Sequence, residues 1–131
     1  MDVLRRVLYV EALAFAILGL VFALIPGPAL GLLGQPDYPD LVWVRIAGVD
    51  GFVLALLMVL VGHHAERAWW WSWAFVLATA GEALVATVAA ALSLPPGTAV
   101  WPWWAFAALS WAFAAALLYG LARAGAEPPP V

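Results

Sequence analysis

The chain alternates long apolar runs with short polar breaks. Four runs are long enough to cross a bilayer, which takes about 20 helical residues. They cover about residues 4–25, 41–62, 69–94 and 101–123. The first closes at Pro26, Gly27 and Pro28, where proline stops a helix and glycine permits a turn. The third closes at Pro95, Pro96 and Gly97. Residues 124–131 have no apolar period and read as a loose tail. The pattern predicts an all-α fold: one polytopic membrane domain built as a four-transmembrane-helix bundle.

Composition strengthens the membrane reading. Of 131 residues, 67% are hydrophobic and 10% charged, where a soluble domain is about half apolar and about a quarter charged. A soluble fold of this size cannot hide so much apolar surface, so lipid is the expected solvent and first partner. The absence of Cys excludes disulfides, thiolate catalysis and Cys-held metal centres within the chain. The five basic residues are all Arg and are scattered, so there is no footprint for nucleic acid.

Arg placement predicts the orientation. Arg5 and Arg6 precede the first run, Arg67 separates the second and third, and Arg123 closes the fourth. All share one side if both termini do, and only Arg45 falls opposite. The positive-inside rule then puts both termini in the cytoplasm of a bacterial inner membrane. A charged start before an apolar run also fits a signal peptide. The first run is long, contains Glu11, and no small-x-small cleavage site precedes a soluble domain, so it reads as a retained span. The Trp residues cluster at the run ends, at Trp69–Trp71 and at Trp101, Trp103 and Trp104, as an interfacial belt requires. Trp111 lies halfway along the fourth span, where it packs in the bundle, faces lipid or lines a pocket.

Small residues suggest where helices meet. Ala108, Ala112, Ala116 and Gly120 recur every fourth residue and would form a groove on the fourth span. Ala47 and Gly51, and Ala86 and Ala90, have the same spacing.

The candidate chemistry lies in charges at membrane depth, which are costly and mark function or structural pairing. At about 1.5 Å per residue, Glu82 lies roughly 20 Å into the third span and Asp50 roughly 13 Å into the second from the opposite side. Glu82, Asp50 and Arg45 are thus expected to share the outer half of the bundle, with Thr79 one turn from Glu82 as a donor. Glu11, roughly 10 Å into the first span, is expected nearer the inner loop of His63, His64, Glu66 and Arg67. Two readings follow. Arg45 ties to Asp50 or Glu82 and pins two spans together. Alternatively, Glu82 and Asp50 form an acid–base pair in a pocket that Arg45, Thr79, Trp111 and Glu11 help to line. His63 and His64 are adjacent, so on a helix they point about 100° apart and do not suit one metal. No phosphate loop, catalytic Ser motif or HExxH occurs.

Three passages carry a family resemblance. "ALAFAILGLVFALIPGPALGLLG" is similar to the first span of the DoxX-like proteins, small four-helix bacterial membrane proteins. "VRIAGVDGFVLALLMVLVG" resembles their second span, and "HHAERAWWWSW" stands where they have a short inner loop. Asp50 matches a position where relatives often carry an acid; Arg45 and Glu82 match none. The resemblance implies quinone-linked redox work or an accessory role, with quinone as the implied cofactor. Three functions therefore remain: a binding protein or accessory subunit for a quinone or lipid, an acid–base isomerase or cyclase of a lipidic substrate, and a proton-coupled transporter. The transporter would require a homodimer; an accessory subunit would require a membrane-complex partner.

Overall fold

The computed structural model describes residues 1–126, apart from the side chain of Ser93. The described residues are helical and contain no strand. The elements are α1 (Asp2–Leu24), α2 (Pro26–Leu32), α3 (Val42–His63), α4 (Ala65–Ala68), a 3₁₀ turn (Trp69–Trp71), α5 (Ser72–Val88), a π turn (Ala89–Ser93) and α6 (Trp101–Ala126). Four stretches are long and apolar enough to cross a membrane: Asp2–Leu24, Val42–His63, Ala65–Leu92 and Trp101–Ala126. The fourth runs past Arg123 into the segment expected to be a tail; residues 127–131 of that tail lie outside the described residues.

Local chemistry sets several helix boundaries. Asp40 Oδ1 accepts from the Val42 N–H at 2.8 Å, satisfying a donor at the start of α3. The chain does not simply turn after Ile25: Pro26 opens the short helix α2, because a first-turn proline has no N–H to waste and its φ suits the helix. Pro102 sits at the same kind of position in α6.

The helices form two antiparallel pairs, α1 with α3 and α5 with α6. Contacts between α1 and α6 join the pairs, while α3 and α5 touch only sparsely. The tightest crossing is α1 on α3 at Gly19 and Gly48. A Cβ on Gly48 would lie 2.5 Å from the Ala23 nitrogen, and one on Gly19 2.6 Å from the Phe52 nitrogen. Gly120 lets α6 approach α1 similarly: its Cβ would lie 3.0 Å from the Leu4 Cα. The core contains Leu4, Leu8 and Ala12 of α1, Met58 of α3, Phe75 of α5 and Leu117 of α6.

This packing corrects the small-residue groove. Ala108 and Ala112 face outward, and the buried stripe of α6 runs through Ala107, Ser110, Ala114, Leu117 and Gly120. On α3 the buried small residues are Gly48, Ala55 and Gly62, with Ala47 exposed. An alanine-rich helix offers several small faces, and only the partner helix selects one.

Polar ties close both ends. At the first, Arg5 Nε donates to the Gly62 carbonyl at 3.2 Å, and its guanidinium meets Glu66 at 3.4 Å. At the other, the Ala99 N–H donates to the Gly34 carbonyl at 3.0 Å, and Gln35 Nε2 to the Ala99 carbonyl at 3.1 Å. The Trp103 indole donates to Gln35 Oε1 at 3.2 Å. Gly34, at φ 64°, adopts the left-handed backbone that this approach needs, and a Cβ there would lie 2.9 Å from that of Ala99.

The crossing yields a direct expectation. Gly48→Val should lower the melting temperature in detergent by an amount equivalent to about 1–3 kcal/mol, because backbone faces the missing side chain. Gly51→Ala should be tolerated, since its nearest neighbour is 3.8 Å away. Equal melts for both variants would contradict the crossing.

Candidate functional site

One polar cluster lies inside the bundle. Glu11 of α1 is 0% exposed, and its Oε1 accepts a 2.6 Å hydrogen bond from Thr79 Oγ1 of α5, which is also fully buried. Glu82 stands three residues after Thr79, one turn further along α5 and on the neighbouring side of the same helix. Oε2 of Glu11 and Oε2 of Glu82 are both buried and have no hydrogen-bond partner among the described residues. A buried acceptor left this way costs free energy, so two in one place require a physical explanation.

The helix positions define the cluster's geometry. Thr79 lies on the buried stripe of α5 with Ser72, Phe75, Val76, Ala83 and Ala86. Thr87 is on the flank that meets α6, where it accepts from the Trp111 indole at 3.2 Å. Glu82 is five residues earlier, or about 140° around the helix. It therefore lies on the other flank, toward the sparsely packed seam with α3. Being only half-buried, it links the enclosed Glu11 to the protein's edge.

Several expected partnerships are different. Thr79 donates to Glu11 on another helix, rather than to Glu82. Glu11 therefore belongs to the interior cluster and not to the His63, His64, Glu66 and Arg67 loop. Arg45 does not tie to an acid: its Nη1 donates to the Ala23 carbonyl at 2.8 Å and the Leu24 carbonyl at 3.4 Å. These are end carbonyls of α1, which lack intrahelical partners and attract a cation. Asp50 is exposed on the outer face of α3, away from Glu82's cluster. Trp111 is 47% exposed, and its indole donates to Thr87, which makes it a contact between α5 and α6. The acid pair thus becomes Glu11 with Glu82. His63 and His64 pack edge to face with centroids 5.1 Å apart, and His64 Nδ1 lies 3.1 Å from the Leu60 carbonyl. Among the described residues no three His, Cys, Asp or Glu side chains are grouped to hold a metal.

By length and composition this is a four-span helical membrane protein, with one carboxyl, that of Glu11, fully enclosed between helices. The chain matches no protein-family model, no curated protein and no solved structure.

Because Arg45 and Glu82 have separate partners, their substitutions should act independently. The stability losses of Arg45→Met and Glu82→Gln should add within about 0.5 kcal/mol in the double variant. Recovery of the Glu82→Gln loss by Arg45→Met, read from thermal melts, would place the two in contact after all.

Proposed function

We propose that the protein binds a small hydrophobic molecule with a polar head, of the quinone or lipid kind, at the Glu11–Thr79–Glu82 cluster. The observation that carries this reading is the pair of buried carboxyl oxygens without partners, one fully enclosed and the other beside the α3–α5 seam. Intramembrane acids of this type mark functional sites by default. A polar head entering at the seam would supply the missing hydrogen bond, while its apolar body stayed among side chains and lipid tails. The DoxX-like resemblance favours an accessory role beside a redox partner. Enzymatic acid–base chemistry would now rest on Glu11 and Glu82, whose surroundings differ because Thr79 anchors only the first.

In this reading the end carrying Arg5, Arg6, Arg67 and Arg123 faces the cytoplasm of a bacterial inner membrane. A reporter at the C-terminus of a functional fusion should be active only if it is a cytoplasmic one; periplasmic activity would reverse the orientation.

Mass spectrometry of protein purified in mild detergent tests the site. The wild type should retain a discrete hydrophobic molecule, and Glu82→Gln should lose at least about nine-tenths of it while staying folded, as expected when a charged hydrogen-bonding partner worth about 1.5–3 kcal/mol is removed. Equal retention by both proteins would remove Glu82 from the site.

A further inference from the structure

Charge distribution narrows the ligand. The cluster's unused atoms are both carboxyl oxygens, and the Thr79 hydroxyl is already engaged as a donor. Among the described residues no basic side chain hydrogen-bonds to them. Arg5 is held at one end by the Gly62 carbonyl and Glu66, and Arg45 at the other by the carbonyls of Ala23 and Leu24. Arg123 lies over the Tyr119 ring at 5.9 Å, near the end of α6. Asp2 lies 3.8 Å from the Arg5 guanidinium. Asp50 is exposed on α3, His63 and His64 close that helix at its far end, and Tyr9 packs against Gly62.

A phosphate, sulfate or carboxylate head would gain no counter-charge here and would be repelled by either carboxyl once ionised, so an anionic ligand is disfavoured beside this pair. A cation is favoured, because it can replace a carboxyl proton and then supply the counter-charge that no basic side chain of the described residues supplies. On the same helices, Phe15 stands one turn beyond Glu11 and the buried Phe75 one turn before Thr79. Ring faces near a desolvated cation add attraction. Resting on the reading of this cluster as a ligand site, we infer that its ligand is a hydrophobic organic cation, which enters at the α3–α5 seam and exchanges for a carboxyl proton. The exchange balances: a carboxylic acid and a free cation become a carboxylate–cation pair and a released proton, with no electron transferred.

Tetraphenylphosphonium is a suitable probe because its charge does not titrate, and tetraphenylborate has nearly the same shape with the opposite sign. Binding is measured by equilibrium dialysis on the full chain in lipid nanodiscs, with proton release followed in weakly buffered solution. Saturable binding of tetraphenylphosphonium is expected, with about one proton released per cation bound as the exchange requires. Tetraphenylborate should show only non-saturable partitioning. Glu82→Gln should weaken cation binding at least tenfold, and Glu82→Asp should restore part of it. Glu82 is the variant of choice because it is half-buried and its replacement spares the Glu11–Thr79 bond. Saturable cation binding without proton release would overturn the exchange. If a short-chain benzoquinone binds in a Glu82-dependent way and the cation does not, the cation inference fails while the ligand site stands. If neither binds in a Glu82-dependent way, both fail.

Discussion

A carboxyl group inside an apolar bundle must find its partner within the bundle, since lipid offers none. Glu11 meets that demand across helices, by accepting from Thr79 of α5. The bond matters to the whole arrangement because the two helix pairs share few other polar links at this depth. α1 is the central element: it crosses α3 backbone to backbone at Gly19 and Gly48, approaches α6 at Gly120, and reaches α5 through Glu11. Rotating α1 to relieve any one of these would break the others.

The same arrangement explains why the acids are not all equivalent. Glu11 is enclosed and half-satisfied, whereas Glu82 lies beside the seam that α3 and α5 leave thinly packed. Asp50, though at comparable depth, faces away from the bundle. Packing therefore gives three membrane-depth carboxyls three different surroundings. Glu11 and Glu82 both keep a buried carboxyl oxygen without a partner, and Thr79 ties the first to the helix that carries the second, which is why the ligand site is proposed there.

The four spans were legible because a membrane helix is recorded in length and composition, and both survive without knowledge of its neighbours. The acids were legible as rare polar residues in apolar runs. Their partners were not, because periodicity records a helix's own faces and says nothing about which face a neighbour will cover. Thr79 shows this most directly: sequence spacing suggested the carboxyl three residues away, but tertiary packing supplied a closer one from α1. Arg45 shows another limit. Its long side chain can reach the unsatisfied carbonyls at the end of α1, a partner that no charge pattern along the sequence reveals. Gly19 and Gly48 carried no distinguishing local signal among eleven glycines, since their importance comes from facing each other.

The Glu11–Thr79 link can be measured on its own. A double-mutant cycle with Glu11→Gln and Thr79→Val, read by reversible unfolding in detergent, isolates the coupling between the two side chains. The bond observed here should give a coupling on the order of 1 kcal/mol, the scale of interhelical hydrogen bonds in membranes. Strict additivity of the two substitutions, in proteins that keep their helical content, would contradict the link between the helix pairs and the site built around it.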